Sequence, residues 1–276
     1  MFLRHATILA AALILAQAPA SAAVTIRAGR VYTAPALAGG RVVWTERPGH
    51  GPVAVVRSDA PAGGAARTLL SLPRGPHFAQ LFDEPVVAAS PDLVAAGIEG
   101  GWRHRGDIHA QWTAWLGSPV RPLARLDEIC PRGSGSFDVS GTRIAGYDCH
   151  SGDVVVLDER SGEPEAHFPG GPDVRLAGRY LAVVPGTPRD VVVYDLDSRL
   201  ETYRIPAEKL GYGLFDFDVA EDGSVAAVYD GPQDDRYEKL VWGSPAEPDP
   251  VDVPVPTRVI HKVRFARPGL IAYSGS

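Results

Sequence analysis

The chain has 276 residues, a formal net charge of −6, and 30 Gly with 25 Pro, so 55 of 276 positions interrupt regular backbone structure. Proline costs about 3 kcal/mol and glycine about 1 kcal/mol in a helix interior, which excludes a bundle of long helices. The hydrophobic content of 45% is enough to bury a core, which argues against disorder. The negative charge argues against a nucleic-acid partner, because phosphate recognition needs a basic surface.

The first 22 residues have the pattern of a secretory signal peptide. Arg4 and His5 precede an uncharged, mostly apolar run at 6–16, and residues 20–22 supply the small side chains that signal peptidase requires. A helix of eleven residues spans about 16 Å, which is shorter than a bilayer core of ~30 Å. We therefore predict cleavage near Ala22, export to the periplasm, cell surface or medium, and a mature domain at 23–276 without a membrane span. An uncleaved membrane anchor is the alternative.

Short apolar strands recur along the mature chain. They begin at Arg41, Leu93, Arg143, Tyr180, Val225 and Leu270, with spacings between 37 and 52 residues. Strands repeated at this period are typical of β-propeller blades. In most units an inner strand and a glycine turn come before the apolar strand, and a third strand and a polar edge strand follow it. We predict an all-β propeller of four-stranded antiparallel blades, five full blades plus a partial sixth. Either residues 24–33 close the ring, or the chain is truncated after Ser276.

Alanines recur in the second strands of these units, at Ala95, Ala145, Ala182, Ala226 and Ala272. In a propeller, sheets that stack around an axis cover one another's faces and crowd most closely near the axis. These alanines are the residues that we expect at such crowded positions.

Two segments carry a more specific pattern of a hydrophobic run, an aspartate and a turn. They are residues 154–162, with Asp158, and residues 191–198, with Asp195. This pattern resembles the blade signature of the TolB-type and WD-repeat-like β-propeller superfamily. The resemblance covers most of the mature chain and implies a fold, not an activity. The sequence departs from the signature in having no Trp-Asp dipeptide and in an irregular second blade between Gly100 and Trp112. A two-sheet sandwich is the alternative fold, although it requires no repeat of this length.

The two cysteines, Cys130 and Cys149, both belong to the mature chain. Export to an oxidising compartment favours a disulfide between them. The bridge would close a loop of about 20 residues and stabilise the fold by up to ~3 kcal/mol. Two free buried thiols are the alternative.

Standard catalytic motifs are absent, including His-Glu-x-x-His, Gly-x-Ser-x-Gly and the Walker loop. We predict no metal and no cofactor. In a propeller, the loops that precede the inner strands and the loops between second and third strands lie at one end, here called the loop face. Function in such folds is carried by loops on a rigid scaffold. The candidate binding residues in these loops are His104, Asp107, His150, Arg189, Tyr212 and Asp234.

Three polar stretches have a plainer interpretation beside a functional one. Residues 102–109 hold two histidines and an aspartate of the types that bind a divalent metal, but we interpret them as a long solvated loop between the second and third strands of their blade. The acids at 230–237 do not have EF-hand spacing, and we interpret them as solvated turn residues. Asp216 and Asp218 share one strand face, so either one points into the central channel or both face solvent.

The blade repeat, together with the lack of a compact catalytic constellation, predicts a secreted, non-enzymatic propeller. We expect it to bind a protein or a polysaccharide through its loop face. One alternative is a propeller enzyme, lactonase-like or a metal-assisted hydrolase, that uses scattered His and Asp residues. The other is the propeller part of a larger exported protein.

Overall fold

A computed structural model describes residues 36–38, 41–46, 54–59, 66–72, 82–104, 107–118, 120, 124–126, 137–148, 151–158, 163–186, 189–209, 213–230, 238–255, 260–267 and 269–275. In these ranges the chain forms 22 strands and one short 3₁₀ turn, Ala207–Lys209. No helix in the described part of the chain is long and apolar enough to cross a membrane.

The strands form successive antiparallel sheets, five with four strands and one with two. Sheet 1 contains β1 to β4, which are Ala36–Ala38, Arg41–Glu46, Ala54–Asp59 and Arg67–Leu72. Sheet 2 contains β5 to β8, which are Phe82–Ala89, Val94–His104, Asp107–Gly117 and Ala124–Leu126. Sheet 3 contains β9 to β12, which are Phe137–Ser140, Arg143–Asp148, Asp153–Asp158 and Pro164–Pro169.

The remaining sheets repeat this arrangement. Sheet 4 contains β13 to β16, which are Val174–Ala177, Tyr180–Val183, Val191–Asp195 and Leu200–Ile205. Sheet 5 contains β17 to β20, which are Leu214–Val219, Val225–Asp230, Glu238–Gly243 and Val251–Val253. Sheet 6 contains β21 and β22, which are Ile260–Arg267 and Leu270–Gly275.

Sheet 4 shows why each unit folds in this way. In its first strand, buried Val174 and Leu176 alternate with a less buried Arg175, as expected for a strand with two different faces. The second and third strands are buried throughout at 181–183 and 191–193, because neighbouring sheets cover both of their faces. The tight turn between the first two strands needs a positive φ, and Gly178 supplies it at 56°.

The core consists of apolar layers between consecutive sheets. Sheets 2 and 3 share one layer, sheets 3 and 4 a second, sheets 4 and 5 a third, and sheets 5 and 6 a fourth. The first strands of neighbouring sheets also contact one another along this series, so they form the inner wall of the molecule. This arrangement confirms the all-β propeller with four-stranded antiparallel blades.

The predicted count of five full blades and a partial sixth requires a correction. Each of the four-stranded sheets 2 to 5 lies between two other sheets and packs against both of them. Sheet 1 contacts sheet 2 at one end of this series, and sheet 6 contacts sheet 5 at the other end. By this criterion the described residues contain four complete blades, with sheets 1 and 6 at the two ends of the series. The first sheet begins with a three-residue strand and the last has two strands, so neither end reproduces the pattern of sheets 3 and 4.

The irregular stretch of the second blade is a long hairpin, and the prediction of a solvated loop at 102–109 is wrong. β6 and β7 have 11 residues each, whereas the equivalent strands of sheet 3 have six. Their backbones pair without a break from Val94 opposite Gly117 to His104 opposite Asp107. The repeat was hard to detect here because extra residues extend the strands and do not lengthen the loop. Cys130 and Cys149 lie outside the described residues, so their disulfide stays a prediction.

Candidate functional site

The structure places the six predicted binding residues in three different situations. His104 and Asp107 are the last pair of the β6–β7 hairpin, and only their backbone is described. Arg189 is exposed and lies two residues before the start of β15, at the loop face. The other three, His150, Tyr212 and Asp234, lie outside the described residues. No two of the six side chains are therefore brought together in the part of the chain that is described.

A different set of residues forms the densest polar contacts. In sheets 3 to 6, one position of the first strand is charged and pairs with an alanine of the second strand. The pairs are Asp138 with Ala145, Arg175 with Ala182, Asp218 with Ala226, and Arg264 with Ala272. Asp and Arg thus alternate around the inner wall. Alanine opposite each charge leaves room for the longer side chain, which agrees with the crowded axis expected from the sequence.

Asp216 connects this set across three sheets. Its carboxylate accepts a hydrogen bond from Nη2 of Arg175 at 2.8 Å and from Nη1 of Arg264 at 2.7 Å. Because Arg175 belongs to sheet 4 and Arg264 to sheet 6, one buried carboxylate of sheet 5 holds both neighbours. We call Asp138, Arg175, Asp216, Asp218 and Arg264 the axial cluster.

The axial carboxylates also bind the backbone of the following sheet. Asp138 accepts from the Leu176 amide at 2.8 Å, and Asp218 accepts from the Phe265 amide at 2.7 Å. Asp216 accepts in the same way from the Val263 amide at 3.0 Å. Inner strands of adjacent blades do not pair as a sheet, so these amides need another acceptor, and the aspartates supply it.

Arg175 adds two further contacts between sheets 4 and 5. Its Nε donates to the carbonyl oxygen of Phe217 at 3.0 Å, and its guanidinium carbon lies 5.2 Å from the centre of the Phe217 ring. The second distance is within the range of a cation–π interaction. Both ends of the guanidinium are therefore fixed, so Arg175 is a rigid part of the inner wall.

Burial and charge shift the pKa values of the cluster in defined directions. Burial raises the pKa of Asp138, although the nearby Arg175 guanidinium and two amide hydrogen bonds oppose the shift. Burial also raises the pKa of Asp218 to about 6, against the lowering effect of Arg264 and with the support of Asp138. For Arg175, burial acts to lower the pKa, but Asp216, Asp138 and Asp218 outweigh it and raise it.

The loop-face end of the inner wall carries an exposed aromatic ring. Phe215, the second residue of β17, is 52% exposed, although Leu214 packs against the core and Asp216 is buried. Arg264 on the adjacent strand keeps 40% of its side chain exposed. Elsewhere in sheet 4, next to the start of β15, buried Asp190 accepts from the Ala207 amide at 2.8 Å and from Arg204.

This arrangement is suited to recognition. Among the described residues, no group of three or more His, Cys, Asp or Glu side chains has a metal-binding arrangement. The axial charges are engaged with one another and with the backbone, so they fix the wall, and Phe215 and Arg264 are its solvent-facing members.

The sequence contained a signal for the axial cluster that single motifs did not reveal. The strand pattern predicts that either one of Asp216 and Asp218 points into the channel or both face solvent, whereas in the structure both accept backbone amides of the next blade. Asp138, Arg175 and Arg264 were missed. Aligning the blades on the alanine of the second strand would have placed a charged residue at the same position of four inner strands.

Comparison with known proteins identifies the fold and no family. No protein-family model matches the chain, and no curated protein sequence is similar to it. Similar solved structures include the WD40 domain of Toxoplasma gondii coronin, with a TM-score of 0.51 and 11% identity over 88% of this chain and 64% of that one. The chain thus spans less than two thirds of that protein.

Two further structures are similar over comparable lengths. The Cps50 (Swd1) β-propeller domain of Myceliophteria thermophila has a TM-score of 0.50 and 14% identity, over 91% of this chain and 96% of that one. TolB from Acinetobacter baumannii has a TM-score of 0.50 and 12% identity, over 81% of this chain and 54% of that one. At this level of identity the likeness supports the WD-repeat and TolB-like β-propeller fold alone.

Proposed function

We propose that this chain is an exported, non-enzymatic β-propeller that binds a protein partner at its loop face. Export is inferred from the signal-peptide pattern of the first 22 residues. The propeller supplies a rigid platform, which is the usual support for recognition residues in repeat proteins.

The observation that carries the proposal is the exposure of Phe215 at the mouth of the inner wall. The residues on either side of it are held by core packing and by the Asp216 ion pairs, so the ring is presented on a rigid strand. Aromatic and arginine side chains are enriched in protein interfaces and at binding hot spots. Phe215 and the partly exposed Arg264 supply one of each.

A photo-crosslinking experiment tests the proposal. The chain is expressed in its own host with p-benzoylphenylalanine in place of Phe215 or, as the matched control, Leu200. Leu200 is 65% exposed but follows the turn between third and fourth strands, at the end opposite the loop face. We expect a discrete protein adduct from position 215 only, and a Phe215→Ser variant that loses affinity for the identified partner by at least tenfold.

Two results would contradict the proposal. If positions 215 and 200 crosslink the same proteins, or if neither does, the loop face is not the binding surface. If purified wild-type protein binds a polysaccharide on a glycan array and Phe215→Ser abolishes that binding, the partner class is a polysaccharide. Fractionation of the same cells tests export separately.

A further inference from the structure

The long hairpin of sheet 2 has an outer edge that no described strand covers in full. β7 pairs with β6 along its whole length, from Asp107 to Gly117. On its other side, β8 pairs only with residues 114–116 of β7. The backbone N–H and C=O groups that point outward from residues 107–113 therefore have no strand partner in the described part of the chain. We call residues 107–113 the β7 edge.

The outer strands of the other four-stranded sheets have features that hinder pairing with another chain. The ladders that hold β4, β12 and β16 each contain a bulge, and β20 has only three residues. In addition, β12 begins and ends with proline, and β16 carries Glu201 and Arg204. Bulges, short strands, proline and charge are the usual means by which proteins protect a sheet edge.

The β7 edge lacks these features. Its sequence, Asp-Ile-His-Ala-Gln-Trp-Thr, contains no proline, lysine or arginine, and its ladder to β6 is unbroken. β7 has 11 residues where the equivalent strand of sheet 3 has six, so the hairpin extends about 16 Å farther than in that blade. A regular edge without these protections is able to accept a further strand.

We propose that the β7 edge pairs with the same edge of a second copy of this chain, so that two antiparallel β7 strands form a dimer with two-fold symmetry. A two-fold contact uses the same surface on both copies, so that surface has to be complementary to itself. The β7 edge meets this requirement, which is why a second copy is the occupant that we infer. The proposal does not depend on Phe215 or on its partner.

The self-complementarity follows from the order of residues along the edge. With Ala110 on the two-fold axis and opposite itself, Ile108 of each copy lies opposite Trp112 of the other. These three apolar positions alternate with polar ones, so they share one face of the combined sheet. Asp107, the one acidic residue of the edge, lies opposite Thr113. Pairs of aromatic and β-branched residues favour strand pairing, and this register places no like charges opposite each other.

The size of the contact predicts a reversible dimer. Seven residues from each copy are fewer than the roughly 20–30 of a standard interface, so the dimer should dissociate on dilution. Sedimentation velocity of the purified chain, from about 1 μM to about 200 μM, measures this equilibrium. We expect the weight-average mass to rise with concentration from the mass of one chain toward that of two.

Opposite charges at position 110 test the register. Ala110→Lys and Ala110→Glu each bring like charges together at the two-fold axis, so each variant alone should dimerise about tenfold more weakly than the wild type. An equimolar mixture of the two brings opposite charges together and should recover dimers, because position 110 faces itself. Ala246→Lys and Ala246→Glu are the matched controls, since Ala246 is exposed in the turn between β19 and β20, at the end opposite the loop face. Both controls should dimerise like the wild type.

Hydrogen exchange of the wild type keeps the test decisive if the Ala110 variants fail to fold. Exchange in a peptide that covers the β7 edge should slow as the protein concentration rises, whereas exchange in β15 should not change. Phe215→Ser should dimerise like the wild type, so failure of the dimer and failure of the proposed function are distinguishable. A constant mass of one chain at all concentrations would overturn the dimer. Folded Ala110 variants that dimerise like the wild type, or that stay monomeric when mixed, would overturn it as well.

Discussion

The interface between sheets 4 and 5 is built differently at its outer part and at the axis. Toward the rim, Val191, Val193 and Ile205 of sheet 4 pack on apolar residues of sheet 5 and are fully buried. At the axis, Arg175 and Asp216 make the contact through an ion pair at 2.8 Å. The same two sheets are thus joined by apolar packing on one side and by charge on the other.

The apolar rim and the charged axis contribute differently to the free energy of unfolding. Apolar burial stabilises any neighbour that offers a complementary surface, at roughly 25 cal/mol per Å². A buried ion pair gains little over an apolar pair but is costly when one partner is missing. We therefore expect the rim to tolerate graded losses and the axis to respond sharply to the removal of a single charge.

The largest effect is expected for Asp216→Ala. This change leaves Arg175 and Arg264 without their shared carboxylate and the Val263 amide without its acceptor. Loss of one partner of a buried pair typically costs about 3–5 kcal/mol. Urea unfolding followed by tryptophan fluorescence measures the change.

The control for this prediction is Glu165→Ala. Glu165 pairs with Arg143 at 2.9 Å, but about a third of each side chain is exposed. An exposed pair is worth roughly 0–1 kcal/mol, so the variant should unfold almost like the wild type. Equal losses of unfolding free energy for the two substitutions would show that the axial ion pair contributes no more to stability than an exposed one.

A somewhat smaller effect is expected for Ile205→Ala at the rim. Ile205 is fully buried in the layer between sheets 4 and 5, and truncation leaves a cavity there. Such substitutions cost about 2–5 kcal/mol, and Ile205→Val should cost only about 0.5–1.5 kcal/mol. Urea midpoints that fall stepwise from the wild type to the Val and the Ala variant of Ile205, together with one large loss at Asp216, would support the difference between rim and axis. Urea midpoints equal to that of the wild type for both Ile205 variants would contradict it.

Much of the fold was predictable because each blade repeats the same local chemistry. Gly141 and Gly178 have positive φ in the turns between first and second strands, as the glycines that recur before the apolar strands predicted. The prediction for the second blade was wrong, because residues 102–104 and 107–109 extend two paired strands and do not form a loop. Glycine and turn residues mark the ends of ordinary strands, but no residue type marks a strand that is longer than its equivalents in other blades.

The site was less predictable than the fold. Asp138 and Arg175 occur in ordinary strand patterns, Phe-Asp-Val-Ser and Val-Arg-Leu-Ala, and nothing in either segment indicates a partner. Their contacts join residues about 40 positions apart, such as Arg175 with Asp216. Only the order of sheets around the axis brings these side chains together, and that order is a property of the whole fold.

The smallest effect is expected where a polar group lies within the apolar rim layer. Tyr203 and Tyr229 belong to the same core cluster and are equally buried, at 6% exposure each. The Tyr229 hydroxyl donates to Asp252 at 2.8 Å, whereas the Tyr203 hydroxyl has no hydrogen-bond partner among the described residues, and burial raises its pKa to about 12. Tyr229→Phe should therefore cost about 1 kcal/mol, while Tyr203→Phe should be neutral or slightly stabilising, because no hydrogen bond is lost. Urea midpoints of the two variants decide the matter. A clear loss of stability in Tyr203→Phe would mean that the Tyr203 hydroxyl makes a hydrogen bond. The rim of this interface would then also be held by polar contacts, and the difference from the charged axis would be smaller than we infer.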